Sequence, residues 1–331
     1  MQAGLRVGLI DPVVASIVGP VPFQGPFGIG HEGVAQVTSV GEDVTGLKVG
    51  DVVVVPWAVS CGTCYECQLG LTAKCATMRA ESPGQTLAAF GFGPSCGAWG
   101  GMVADSIRIP FADHMLVRVP DGVEPLRVAA ASDNLADAWR SIVPPLRQRP
   151  GGAVLVIGGG GQSIGLYAAG LAARHGASVV DYVDGRDSRL EVAESLGATV
   201  HKVDKARRKS FLSATPRRYD VVVEALSQGQ GLRDAIRALR PGGICTGTGY
   251  YLAPGTKIPV MDMYATSATL NVGVSHVRPV LPELLGFLAA SGFPAEPVTS
   301  LLADWEDAPE AYQAHTTKLV LHRAPLDLTS N

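Results

Sequence analysis

Four cysteines fall close together in the run Cys61-Gly-Thr-Cys64-Tyr-Glu-Cys67-Gln-Leu-Gly-Leu-Thr-Ala-Lys-Cys75, a C-x2-C-x2-C-x7-C spacing. Four thiolates so placed close around one tetrahedral Zn²⁺, with Gly62 and Gly70 permitting the tight turns. A shell of four thiolates leaves no open position for substrate. Its expected role is structural, holding a loop with on the order of 10 kcal/mol of binding free energy. A redox dithiol leaves the fourth thiol unexplained. Upstream, Gly30-His31-Glu32-Gly33 sets an imidazole in a tight glycine turn at the head of a strand. His31 there is a candidate metal ligand, with Glu32 as its neighbour or an alternate ligand.

A second chemistry is written between Ala153 and Asp184. A short apolar strand, Ala-Val-Leu-Val-Ile, runs into Gly158-Gly159-Gly160-Gly161-Gln162-Ser163-Ile164-Gly165. A helix with small residues follows, then a strand that ends in a carboxylate. Glycine lets the backbone approach a pyrophosphate, and a helix N-terminus offers it unpaired N–H groups. An acid about 20 residues on accepts from ribose hydroxyls. Gly158, Gly160, Gly161 and Gly165 are the candidate phosphate turn and Asp184 the candidate ribose acid. The glycine pattern is irregular: a strict G-x-G-x-x-G cannot end on Gly165, as though one residue were inserted near Gln162. Pro150 to Ala173 carries no charge, yet the seven glycines from Gly151 to Gly165, with Gln162 and Ser163 among them, fit a strand and helix better than a membrane span.

These groups need a scaffold. A chain of 331 residues accommodates two domains, each with its own core. Hydrophobic content of 47%, charged content of 17% and a net charge of -3 describe a soluble globular enzyme with neither a nucleic-acid footprint nor a membrane segment. The basic run from Lys202 to Arg218 reads as a solvated face or loop. At the N-terminus, Asp11, Pro12, Pro20 and Pro22 interrupt any signal-peptide core, and clustered thiols suit a reducing compartment; the expected location is cytoplasmic. GVAQ through DVVVV reads as strand, turn, strand. Helix is expected over AAASDNLADAWRSIV, with Pro144-Pro145 leading out of it. Beyond lie alternating units: strand Val179 to Asp184, helix Leu190 to Leu196, strand Val221 to Glu224, helix Leu232 to Leu239, strand Gly243 to Gly249. That alternation implies an α/β fold with a doubly wound parallel sheet. Strand Thr269 to Gly273 is expected to close the sheet, and Leu281 to Ala290 to be helical. Cys96 and Cys245 read as small buried hydrophobes.

The segment from Gly30 to Cys75 resembles the zinc-dependent alcohol dehydrogenases of the medium-chain dehydrogenase/reductase superfamily, in both the Gly-His-Glu motif and the cysteine spacing. The likeness continues through VRVPDGVEP, the glycine turn, LGA at 196 to 198, YDVVVEA at 219 to 225, LRPGG at 239 to 243, APEAY at 308 to 312 and KLVL at 318 to 321. It implies a GroES-like β domain built from residues 1–134 and 276–331, carrying a structural-zinc lobe at about 58–78, and a Rossmann domain over 135–275. It also implies roles. His31, Glu32 and Asp133 fall on the catalytic-zinc motif, Asp133 as the last protein ligand. Trp57 falls where the family lines its substrate pocket. Arg189 flanks the adenosine and Lys318 lies near the pyrophosphate. From its place after a strand, Gly247-Thr248-Gly249 is expected to set backbone beside the nicotinamide, with a simple turn as its alternative. Trp57 as core and Arg189 as a surface charge are the bland alternatives.

The chain also departs from the family. Where a Cys and a relay hydroxyl stand before the His, it has Ile10-Asp11-Pro12; Ile10 cannot ligate a metal and Pro12 has no proton to pass. Ala35 replaces a glycine, and the strands that precede this stretch in the family are missing. With Asp11 swung in, one imidazole and two carboxylates make a catalytic zinc shell; without it, His31 or a carboxylate acts metal-free as a proton donor. The expected activity is NAD(P)-dependent oxidation of alcohols or reduction of aldehydes and ketones. NAD is favoured because Asp184 repels a 2′-phosphate, though Arg186 leaves NADP open. Two alternatives stand: a reductase of an activated C=C or C=N bond without catalytic zinc, and a non-catalytic dinucleotide-binding protein. The expected partners are a small-molecule substrate and further copies of the chain, as homodimer or homotetramer.

Overall fold

A computed structural model describes residues 26–81, 87–203, 211–249, 251 and 255–325. Asp11, the segment Leu5 to Ile10 and most of the turn expected from Gly19 lie outside them. The chain divides into two compact units: one runs to Ala136 and resumes at Ser275, and the other is Asp137–Val274.

In the first unit, strand β1 (Gly33–Gln36) pairs antiparallel with β2 (Val52–Val55), Gly33 opposite Val55 and Gln36 opposite Val52. Strand β3 (Val117–Arg118) pairs on the other side of β2. The four valines of β2 are β-branched residues suited to a pleated surface, and three of them are buried. Val53 and Val55 join Phe90, Met115, Met78 and the cysteines in one core cluster. The cysteine lobe is therefore packed on the sheet. Its helices are short, α1 (Tyr65–Gln68) and α2 (Ala76–Ala80), which suits a segment held by its side chains rather than by helix length.

Helix α3 (Asn134–Gln148) opens the second unit and continues through Pro144 and Pro145, where the sequence suggested a break. Each proline removes one N–H from the helix ladder, and buried Ile142, Val143 and Leu146 hold the helix despite that loss. Six strands follow: β4 (Ala153–Ile157), β5 (Val179–Asp184), β6 (Thr199–Lys202), β7 (Tyr219–Glu224), β8 (Leu239–Gly247) and β9 (Thr269–Val272). They form one parallel sheet in the order β6-β5-β4-β7-β8-β9. Helix α4 (Gln162–Arg174) lies over Val156 and Tyr182, where Gly165 lets it come close. Helices α5 (Asp187–Ser195) and α6 (Gly229–Arg237) follow β5 and β7. The α6 side chains pack on Leu155, Ile157, Val183 and Val222 of the opposite face, which makes the sheet doubly wound. Helix α7 (Val260–Thr266) precedes the edge strand β9. Two details differ from the sequence reading: β6 was not foreseen, and β8 starts at Leu239 and ends at Gly247. Because the chain leaves β4 in one direction and returns at β7 in the other, the carboxyl ends of these two strands form the switch point where such sheets take ligands.

The first unit resumes with α8 (Val277–Ser291) and a parallel pair, β10 (Leu301–Asp304) with β11 (Leu319–His322). Among the described residues no helix is long and apolar enough to cross a membrane.

Candidate functional site

The four cysteines converge. Their sulfur atoms all lie within 4.8 Å of one another, and among the described residues no other set of three or more His, Cys, Asp or Glu side chains is so gathered. The N–H groups of Thr63 and Cys64 donate to Cys61 Sγ at 3.4 Å, and Thr77 Oγ1 lies 3.5 Å away. Burial pushes the Cys61 thiol up, but the hydroxyls of Thr77 and Thr63 and the two amides outweigh it and bring it down to about 5. Cys64 is also lowered, against its burial, by the amides of Cys67 and Ala76. Four gathered sulfurs, two of them favouring the thiolate, fit a tetrahedral Zn²⁺ that Cys61, Cys64, Cys67 and Cys75 would hold.

His31 is organised by a different set of residues. Ser132 is fully buried; its Oγ accepts from Gly33 N and donates to Gly33 O, both at 3.0 Å, tying the head of β1 to the loop that carries Asp133. His31 Nε2 then stands 3.4 Å from Asp133 Oδ2, with 27% and 22% of the two side chains exposed. Phe92 stacks on the imidazole at 4.8 Å between ring centroids, and Trp57 meets Phe92 edge-on at 5.8 Å. Burial works against the imidazolium, yet the hydrogen bond and charge of Asp133, with Glu32 behind it, raise His31 above the ordinary histidine value.

Three expectations are corrected here. Glu32 does not join His31 and Asp133 as a ligand: its Oε1 accepts from Asn134 N at 3.0 Å and its Oε2 is ion-paired with Lys318 Nζ. A carboxylate with both oxygens engaged is not offered to a metal, and a zinc shell of His31, Glu32 and Asp133 is not assembled among the described residues. Lys318, expected beside a pyrophosphate, is thus spent on Glu32. Trp57, expected in the pocket wall, is only 3% exposed, with its indole N–H donating to Ser275 O at 3.3 Å. It backs Phe92 rather than facing a substrate.

In the second unit the glycine turn leaves β4 toward α4. Gly159 has a φ of +148°, a region closed to other residues, and the Leu226 side chain fills the space where a Cβ would stand. Gly161 is the N-cap of α4 and its N–H donates to Ala225 O, while no side chain caps the helix. The first-turn amides are left for an anion, so this turn fits a pyrophosphate. Gly165 lies inside α4 against Val156, Tyr182 and Ala225, where the missing side chain serves helix–sheet packing. Asp184 ends β5 at 2% exposure and accepts from five donors: Tyr182 OH, Gly185 N, Arg186 N, and Arg189 through Nε and Nη2. Arg189 is therefore not a surface charge.

The sequence reading missed Phe92, Tyr182 and Glu224. Phe92 carries no local signal. Tyr182 and Glu224 were legible: each is a polar group near the carboxyl end of a core strand.

Residues 10–121 match the alcohol dehydrogenase GroES-like domain and residues 163–290 the zinc-binding dehydrogenase domain. A probable zinc-binding alcohol dehydrogenase of Mycobacterium tuberculosis is 30% identical over 302 residues, spanning 89% of this chain and 72% of its own. The chain belongs to the zinc-type alcohol dehydrogenases of the medium-chain dehydrogenase/reductase superfamily. Among solved members of this alcohol dehydrogenase group, the enzyme TADH from Thermus sp. ATN1 superposes with a TM-score of 0.79 at 30% identity, covering 91% of this chain and 85% of that one. Benzyl alcohol dehydrogenase of Acinetobacter calcoaceticus shares the fold, with a TM-score of 0.76 at 23% identity over 95% and 88% of the two chains. This zinc-type alcohol dehydrogenase is an NAD(P)-dependent oxidoreductase.

Proposed function

We propose that the enzyme interconverts a small or medium alcohol with its aldehyde or ketone, using NAD(H), and that the His31–Asp133 pair handles the proton. A bound nicotinamide supplies or accepts the hydride at the carbonyl carbon. In reduction, the His31 imidazolium gives its proton to the oxygen that becomes the hydroxyl; in oxidation, the neutral imidazole takes it back. Asp133 holds the ring and stabilises its charged form, and Phe92 fixes the ring plane. The observation that supports this most is the largely buried imidazole with a carboxylate 3.4 Å away. Among the described residues the donor set at this position is one imidazole and one carboxylate. The same observation favours a second reading, reduction of an activated C=C or C=N bond without catalytic zinc.

NAD is preferred to NADP on the charge of Asp184, which disfavours a 2′-phosphate even when Arg189 shares it. The cysteine lobe is assigned one structural zinc per chain, consistent with a reducing, cytoplasmic setting. The chain boundaries are assigned as a catalytic domain of 1–134 with 276–331 and a nucleotide domain of 135–275. A second copy of the chain is assigned to the β9 edge. That strand has a free side, and α7 beside it has no buried residue, with Tyr264 at 79% exposure. Sedimentation tests that point.

The function is tested by following NADH and NADPH oxidation against aldehydes, ketones and enals, and NAD reduction against alcohols, in wild type and His31→Gln. Turnover of a carbonyl that is lost in His31→Gln supports the first reading, and turnover confined to enals or imines supports the second. Activity unchanged in His31→Gln removes His31 from the reaction.

A further inference from the structure

Glu224 is a fully buried carboxyl at the carboxyl end of β7, opposite Ile157 of β4 and beside the switch point of the sheet. Three segments of the second unit meet on it. The turn that follows β7 folds over the glycine turn, Ala225 O accepting from Gly161 N and Leu226 filling the space over Gly159. The turn that follows β8 is tied back by Thr248, whose N–H and hydroxyl both donate to Glu224 O, at 3.0 and 3.2 Å. Its next anchor is Tyr251, whose ring packs on the core beside Leu232 and Cys245 and whose hydroxyl donates to Glu224 Oε2. Glu224 Oε1 is buried without a hydrogen-bond partner. Between these contacts Ser227 is held at a φ of +64°, a conformation a serine adopts only when its surroundings impose it.

We propose that Glu224 and Tyr251 are positioning residues for the nicotinamide nucleotide: their hydrogen bond holds Tyr251, which follows β8, against the turn after β7, and thereby fixes the crevice beside the glycine turn. This rests on the nucleotide reading of that turn given above. Neither side chain reacts; each acts through backbone it restrains.

The position also makes nucleotide binding proton-linked. The titratable groups facing Glu224 are Tyr251 from the turn after β8 and Cys245 from β8, while α6 presents Gly231 and β4 presents Ile157. Among the described residues no cation is one of them. A diphosphate entering the crevice brings negative charge toward a carboxyl that lacks a counter-ion, so binding favours the protonated acid. Burial already pushes this carboxyl up to about 7, against the Tyr251 hydroxyl and the nearby amides of 226–228.

The test is titration of NADH and NADPH into the full chain by calorimetry, well below the melting transition and from about pH 6 to about pH 8, in two buffers of different ionisation enthalpy. Three proteins are compared: wild type, Glu224→Gln and Tyr251→Phe. Wild type is expected to take up protons on binding and to lose affinity several-fold across the range. Glu224→Gln keeps an oxygen for the Tyr251 hydroxyl and is expected to bind as wild type does at the acid end, with no proton uptake and a flat profile. Tyr251→Phe is expected to weaken binding about 10-fold at every pH. Wild-type affinity and wild-type proton uptake in both variants overturn the inference and leave the nucleotide site standing. Absence of nucleotide uptake by folded wild type overturns both.

Discussion

The Arg189 guanidinium closes on Asp184 through Nε and Nη2, each 2.7 Å from a different carboxylate oxygen, and the pair is buried. With Tyr182 OH and two backbone amides also donating, the carboxylate faces five donors where two oxygens offer about four lone-pair positions. Ribose hydroxyls must compete with Arg189 for it. Asp184→Ala removes one member of a buried bidentate pair and leaves a cation without its partner, a change expected to cost about 3–5 kcal/mol of stability. It also removes the charge that opposes a 2′-phosphate. The expected outcome is a lower melting temperature together with a fall of about 10-fold or more in the ratio of NAD to NADP affinity. A variant that melts lower but keeps the wild-type ratio shows Asp184 to be a structural anchor only.

The cysteine lobe makes a prediction that does not depend on activity. Cys61→Ser replaces a thiolate that favours ionisation with a hydroxyl that does not, and three sulfurs remain. Elemental analysis is expected to find about one zinc per chain in the wild type and a large loss in the variant. Because metal binding and local folding are one equilibrium, proteolysis is expected to start within the lobe. Full zinc content in Cys61→Ser contradicts the four-sulfur assignment.

What the sequence disclosed follows the distance over which each feature is encoded. Cys61 to Cys75 is a contiguous spacing, and the strand–turn–helix–strand from Ala153 to Asp184 is a local pattern; both were legible and both are assembled. The parallel sheet was legible for the same reason, since each strand and helix carries its own periodicity. The fate of Glu32 was not, because its carboxylate is claimed by Lys318, 286 residues further on, and by the amide of Asn134. Trp57 looked like pocket lining from its place in the chain. Its burial depends on Phe92 and on Ser275, 218 residues away, which no local pattern announces. Asp133 came from the family resemblance alone, and only the folded chain shows it beside His31.

That proximity carries a pH prediction. His31 is raised by Asp133 despite burial, so the imidazolium persists above the pH at which an exposed histidine loses its proton. Reduction needs the protonated ring. The kcat/KM for NADH-dependent reduction is therefore expected to be level below the ordinary histidine range and to fall as pH rises through the raised value. Asp133→Asn keeps a hydrogen-bond acceptor but removes the charge, and is expected to move the falling limb to lower pH; His31→Gln is expected to remove the limb with most of the rate. A limb that stays in place in Asp133→Asn assigns it to another group.

Glu224 makes the opposite kind of prediction, in the stability of the apo protein. Its carboxyl is raised from 4.5 to about 7, by burial first, with the Tyr251 hydroxyl and nearby amides pulling the other way. Between those two values the folded chain binds a proton that the unfolded chain has released, so stability falls as pH climbs from the lower to the higher and is flat beyond it. The full fall is about 3 kcal/mol. Glu224→Gln cannot ionise and escapes it. Other groups titrate in the same range, but they do so in both proteins and cancel in the difference. Urea unfolding at a series of pH values is therefore expected to show the two proteins closest near pH 4.5, and Glu224→Gln progressively the more stable up to neutrality. A constant difference across the series means that Glu224 is ionised in the folded chain throughout, which requires a cation near Oε1 that none of the described groups facing it provides.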